Sequence, residues 1–363
     1  MHEDERALRR ACAASPDDDL PRLVLADWLD EYGPPDHARF VRLQVEVAKP
    51  DTAPARRHEL RQTADALLAE HRADWEGPLR ALGVSQVGYD RGLPVTAVMP
   101  PNQWLVRGDD LFHLAPSVAH LHVAPGDPHA HRHVAASTHL IRLSAITFSS
   151  AGLGDLGLRS LAANPAAVGL RQLAVRWDAV SDTGGDALAD SPHLAGLERL
   201  DLFGNRLDSH AVRRLTHSPL LARLTGLDLG ANPLGDAGAG VLASAPPRER
   251  LTALGLAHCG LGVAGLRVLM TGSGLPAVTE LDLSENPLGD AGAAVLAAAP
   301  RSSRLTRLAL RGTGLGPAGR RTLADSRFLT DELVIAADGF PAMSFAEFRD
   351  RVRGEGHGSA RRR

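Results

Sequence analysis

Lysine is almost missing from this chain: of 40 basic residues only Lys49 is a lysine, and it sits in Ala48-Lys49-Pro50 with no glycine loop before it. That removes the GxxxxGK phosphate loop and leaves lysine-dependent Schiff-base chemistry one badly placed candidate. Cysteine is equally scarce. Cys12 and Cys259 lie far apart in sequence, so there is no disulfide framework and no CxxC motif, and a reducing compartment is expected. Aromatic residues make up 4% of the chain, too few for the stacking surfaces that hold carbohydrate or single-stranded nucleic acid. A formal charge of −3 gives no bulk attraction to nucleic acid or anionic lipid, and neither is an expected partner. No apolar run approaches the ~20 residues of a membrane span. The opening MHEDER, Met1 to Arg6, lacks the basic-then-apolar order of a signal peptide, so the expected location is the cytoplasm.

Enzyme signatures are also wanting. There is no GxSxG nucleophile elbow, and His58-Glu59 is not followed by a second histidine at the zincin spacing. What the 363 residues do hold is 44% hydrophobic and 23% charged residues, a composition able to bury a sizeable core. The length suggests either two or three domains or one continuous array.

Self-comparison favours the array. Leucine-like residues fall in the pattern L-x-x-L-x-L, then Asn or a small residue three places on, starting at Leu143, Leu170, Leu197, Leu224, Leu251, Val278 and Leu305. Every interval is 27 residues. Leu200 and Leu202 share one face of a strand while Asp201 points the other way. Asn205, Asn232 and Asn286 stand where the chain leaves the strand, with Cys259 and Asp178 in the same slot, so Cys259 is read as structural. The second half of each copy reads as a helix, best at Gly235-Asp236 and Gly289-Asp290, whose aspartates are expected N-caps. Pro165, Pro192, Pro219, Pro246 and Pro300 recur in register, where a helix must stop. One strand and one helix per 27 residues predict an α/β right-handed solenoid with a parallel sheet on its concave face.

On these residues the copies from 143 to about 327 resemble ribonuclease-inhibitor-type leucine-rich repeats, which implies an interaction surface and no catalytic centre. Val118, Leu121 and Val123 fit a degenerate first strand, and Leu333, Ile335, Asp338 and Phe340 a last one.

Residues 1–48 lack the period and read as helices over 3–14, 20–32 and 36–48, with Leu23, Leu25, Trp28 and Leu29 as their core. The run from Ser15 through Arg22, Asp27, Trp28 and Glu31 to Gly33, with Phe40, Arg42 and Gln44 after it, resembles the bacterial repeat-companion domain. That resemblance implies an architecture, a small helical domain ahead of leucine-rich repeats in planctomycete-like bacteria, and no chemistry. Tyr32 departs from the arginine usual in that family. Arg22 and Asp27 are read as capping or ion-pairing groups and Trp28 as the bundle anchor. Residues 49–115 are expected to form a helical connector and cap, with a long helix over 53–82, a first strand over 93–98 and a helix over 102–114. The solenoid then spans 116–342, and 343–363 a cap helix with a disordered basic tail.

A histidine cluster from His113 to His139 includes an HxHxH run at His129, His131 and His133. Alternate histidines on a strand could ligate a metal, but Gly126-Asp127-Pro128 points to a loop or convex helix, so no metal and no cofactor is expected. The concave positions supply the expected partner-binding residues: Arg176, Trp177, Arg199, Asp201, Phe203, Asp228, Glu280, Asp282, Arg307 and Arg311. Trp177 and Phe203 come from adjacent copies and are expected to form one exposed patch. The reading is a monomeric, non-enzymatic scaffold for a protein partner, with the helical bundle docking elsewhere. Regulation of an enzyme or GTPase, and a metal enzyme built on the histidines, are the alternatives.

Overall fold

The computed structural model describes residues 2–359, so the end of the expected basic tail, from 360 onward, lies outside the described residues. The chain divides into two compact units, residues 1–147 and 148–363. The first unit opens with four helices, α1 (Glu3–Ala14), α2 (Leu20–Tyr32), α3 (Pro35–Ala48) and α4 (Pro54–Ala81). Prolines in the first turn of α2, α3 and α4 preset the helical φ where a missing N–H costs nothing. The N–H of Gly33 closes α2 on the carbonyl of Leu29 at 3.0 Å.

The bundle core contains Cys12, Leu25, Ala26, Leu29, Ala38, Val41, Val45 and Leu93, with Trp28 partly buried against it. Leu23 is not in this core: it faces outward. Its neighbour Arg22 takes the inward place instead, donating to the carbonyls of Ser15 (3.4 Å), Pro16 (2.8 Å) and Asp18 (2.6 Å). Arg22 therefore ties down the turn before its own helix. Asp27 pairs with Arg42 at 2.7 Å, as an ordinary surface ion pair.

After α4 come β1 (Gln86–Asp90), β2 (Leu93–Met99), α5 (Pro101–Leu114), β3 (His120–Val123) and α6 (Pro128–Ala135). The strand expected first is thus the second. It pairs antiparallel with β1 through a two-residue turn, Arg91-Gly92, in which both residues have positive φ (47° and 84°). Strand β2 then runs parallel to β3, with Ala97 opposite Leu121.

Strand β4 (Ala145–Ser149) spans the boundary between the units. The second unit continues with α7 (Gly154–Ala162), β5 (Gln172–Arg176), α8 (Asp182–Ala189), β6 (Arg199–Asp201), α9 (Ser209–His217), β7 (Gly226–Asp228), α10 (Gly235–Ser244) and β8 (Ala253–Gly255). It ends with α11 (Val263–Thr271), β9 (Glu280–Asp282), α12 (Gly289–Ala298), β10 (Arg307–Leu310), α13 (Pro317–Ala324), β11 (Val334–Ala337), β12 (Phe340–Ser344) and α14 (Phe345–Ser359). Strands β5 to β11 lie side by side in chain order, all parallel. The register is the 27-residue period itself: Leu200, Leu227, Leu254, Leu281 and Leu308 stand opposite one another, all buried. The last strand expected from Leu333 to Phe340 is two strands, because Asp338-Gly339 reverses the chain and β12 returns antiparallel to β11. The repeated prolines follow the helices and open short 3-10 turns, such as Pro165–Gly169 and Pro300–Arg304.

Two ladders of side chains stitch one repeat to the next. Asn232 donates to the carbonyls of Leu202 and Leu229 (both 2.9 Å) and accepts from the N–H of Leu207 at 3.0 Å. Asn286 spans Leu256, Leu283, Cys259 and Leu261 in the same way, and Asn205 spans Val175, Leu202, Asp178 and Val180. Cys259, buried in that slot, directs its thiol at the carbonyl of Leu229. The second ladder corrects an expectation. Asp236 and Asp290 do not cap their own helices, whose N-caps are Leu234 and Leu288 without side-chain bonds. Each accepts instead, at 2.7 Å, from the backbone N–H that precedes the next repeat's helix, Gly262 and Gly316. Asp155 and Asp182 do the same for Ser181 and Asp208. A carboxylate in the first turn of one helix thereby neutralises the orphan N–H of its neighbour.

Candidate functional site

With the leucines buried on one face, the residues between them occupy the sheet's open face. The register lines up Arg199, Gly226, Ala253, Glu280 and Arg307 in one row, and Asp201, Asp228, Gly255 and Asp282 in a second. The ten expected binding residues fall into two groups. Arg176, Trp177, Arg199, Asp201, Phe203 and Asp228 lie on or just beyond β5, β6 and β7, whereas Glu280, Asp282, Arg307 and Arg311 lie on or just beyond β9 and β10. Between them β8 offers only Ala253, Gly255 and, just beyond, Ala257.

Each consensus aspartate has a local duty. Asp201, Asp228 and Asp282 accept from the N–H two residues on, at Phe203, Gly230 and Ser284, at 2.9 to 3.0 Å. These short turns bend the chain out of the strand. Asp201 also holds the guanidinium of Arg176, whose Nε lies 2.6 Å from its Oδ2, and this carboxylate raises the arginine's pKa further. Asp228 is more enclosed, leaning over Gly255, where a side chain would collide with its carboxylate. Burial raises its pKa, and Asp201 and Asp282 on either side push in the same direction.

One feature of the backbone escaped the sequence reading. Ser150, Trp177, Gly204, Ala231, His258, Glu285 and Gly312 recur every 27 residues just before the asparagine slot, and all have φ between 51° and 72°. This left-handed conformation suits glycine and disfavours side chains. Two glycines in register, Gly204 and Gly312, are its only sequence signal; the other five positions hide it. At Trp177 the consequence is greatest. Its φ is 55°, the residue is 57% exposed, and the indole meets Phe203 edge-on with centroids 5.4 Å apart. Phe203 in turn lies over Gly230, where a Cβ would come within 2.6 Å of its ring. The two rings therefore form a contiguous, partly solvent-facing pair, next in the chain to Arg176, which is held by Asp201.

The histidines do not converge. His113 is on α5, His120 and His122 on β3, and His129, His131 and His133 on α6, a helix and not a strand. His131 is buried with its ring nitrogens 2.8 and 2.9 Å from the carbonyls of Asp127 and Ala124. Among the described residues no three His, Cys, Asp or Glu side chains are grouped to hold a metal ion. Likewise, among those residues no helix is long and apolar enough to cross a membrane.

Residues 275–297, covering β9 and most of α12, match the family described as Leucine Rich repeat. That match covers one repeat of the array. The 27-residue repeats together carry the aromatic pair, the aspartate turns and both ladders. No curated protein matches the chain. Among solved structures the chain is similar to an internalin of Listeria monocytogenes, at 15% identity over 63% of this chain and 69% of that one, with a TM-score of 0.37. It is also similar to the Rad7 and Elc1 complex of yeast, at 13% identity over 86% and 89%, with a TM-score of 0.32.

Proposed function

We propose that this protein is a non-enzymatic scaffold that binds a protein partner on the open face of its repeats, at the end formed by β5, β6 and β7. The observation that carries this reading is Trp177. A large aromatic on left-handed backbone is costly to folding, on the order of 1–2 kcal/mol, and although its ring rests on Gly204 and Phe203 the residue stays more than half exposed. The other six copies place smaller or more polar residues in that slot. Such a ring gains by desolvation against a partner, and tryptophan beside arginine is the common vocabulary of binding hot spots. Phe203 supports it from below, Arg176 and Arg199 supply directed donors, and the small residues of β8 leave room for a protruding segment.

In the same reading Glu280, Asp282, Arg307 and Arg311 form a polar margin that orients the partner and contributes little affinity. The repeats are of the ribonuclease-inhibitor type, residues 1–48 are a repeat-companion domain of a bacterial protein, and the chain works as a monomer in the cytoplasm. The test is affinity capture with the wild type and with Trp177→Ala combined with Phe203→Ala, followed by titration of the identified protein in purified form. A partner retained by the wild type and lost by the variant supports the reading; equal retention by both removes it.

A further inference from the structure

Ten large hydrophobic side chains are exposed among the described residues, and four of them, Leu20, Leu23, Val24 and Tyr32, sit on the single helix α2. Leu20, Val24, Trp28 and Tyr32 are spaced four residues apart, so they form one stripe along the helix, widened by Leu23 beside Val24. The opposite face of α2 is fully used: Arg22, Leu25, Ala26 and Leu29 are buried in the bundle. Trp28 continues the stripe as well as anchoring it, since its ring touches His2 at 5.8 Å and Tyr32 at 5.7 Å between centroids. Scattered exposed leucines need no explanation, but a continuous apolar stripe on one helix of a small bundle does.

The surroundings of the stripe are acidic. Residues 1–36 contain ten carboxylates against four arginines, and two of those four, Arg9 and Arg22, are buried and engaged with Glu5 and with backbone carbonyls. The exposed charges of α2 itself are Asp27, Asp30 and Glu31, with Asp17 and Asp18 at its start. Arg42 answers Asp27 and Asp30 at one edge, and Glu31 accepts from its neighbour Tyr32. This rim selects the occupant. A second copy docked face to face would set carboxylates against carboxylates, and an anionic membrane would be repelled. A partner segment with an apolar face bordered by lysine or arginine satisfies both the stripe and the rim.

We infer that α2 is a second docking surface of this protein, independent of the repeats, and that it receives a basic amphipathic helix from a partner protein. The test uses the full chain and two labelled 18-residue peptides, each with leucines at i, i+3, i+4 and i+7. One carries lysines at the remaining positions and the other glutamates, and binding is followed by fluorescence anisotropy. The lysine peptide should bind at least tenfold more tightly than the glutamate peptide. Leu20→Ser with Val24→Ser, and separately Asp17→Lys with Glu31→Lys, should each weaken it at least tenfold. Trp177→Ala with Phe203→Ala should leave it unchanged. Equal binding of both peptides, or full affinity in the serine variant, would overturn the inference. So would wild-type dimerisation or adsorption to anionic vesicles that the serine variant abolishes.

Discussion

The indole of Trp177 lies over Gly204, the residue that holds the same place in the next repeat, so that a Cβ at Gly204 would fall inside the ring's van der Waals envelope. Gly204 itself has φ of 72°. Two separate needs, left-handed backbone and space for the indole, meet in one glycine. Glu285 and Gly312 repeat the arrangement near the other end, with the glutamate carboxylate over the glycine.

Gly204→Ala is therefore expected to destabilise the repeats by ~2 kcal/mol, about half from the backbone and half from displacing the ring. In a Trp177→Ala background only the backbone share should remain. Urea unfolding of the four proteins gives the coupling directly, and an interaction energy within error of zero would show that the ring does not rest there.

The asparagine ladder makes a second prediction. Asn232→Ala removes two donors and an acceptor from buried backbone groups of two repeats, which should cost ~2–4 kcal/mol. Amide exchange should accelerate at Leu207 and its neighbours, not only in the mutated repeat. Exchange confined to residues next to 232 would mean that the ladder does not couple repeats.

Acid should weaken the first unit through His37. Burial, aided by Arg9 and His71, lowers its pKa from 6.5 to about 3, and Trp75 stacks on it at 4.6 Å between centroids. The folded state thus holds the neutral ring while the unfolded chain takes up a proton below 6.5. This stabilising term is complete above pH 6.5 and is lost as pH falls towards 3, by up to ~1.4 kcal/mol per pH unit. His37→Gln should flatten that slope in thermal melts between pH 6 and 4. An unchanged slope would place the sensitivity elsewhere.

Cys259 should be inert. Burial pushes its thiol up to about 11, and a thiol in that state carries almost no thiolate at neutral pH. Native protein should leave it unlabelled by iodoacetamide on the timescale in which denatured protein reacts fully. Rapid labelling of Cys259 in native protein would contradict its place in the ladder.

The repeat register was legible because a leucine pair on one strand face, recurring without insertion, admits one arrangement of parallel strands. The helices of the bundle were legible for a similar reason: Gly33-Pro34-Pro35 and the aspartate run at 17–19 punctuate them. What escaped depends on neighbours in space. Asp236 resembles an N-cap in sequence, yet stacking brings its carboxylate to Gly262, 26 residues on. The hairpin turn Arg91-Gly92 carries arginine where asparagine or aspartate would have announced left-handed backbone. Leu23 looked internal until Arg22 claimed the inward position. The 27-residue period is enough to bring Trp177 and Phe203 together, but their footing on Gly204 and Gly230 depends on how the turns stack.

Protein binding at the Trp177 end of the open face is tested by calorimetric titration of the captured partner against two double variants. Trp177→Ala with Phe203→Ala should lose ~2 kcal/mol or more of binding while keeping its thermal midpoint. Arg213→Ala with Arg267→Ala, exposed on α9 and α11, should lose less than ~0.5 kcal/mol. Full affinity in the aromatic variant, with binding abolished in the arginine variant, would contradict the account and move the partner to the helical side of the repeats.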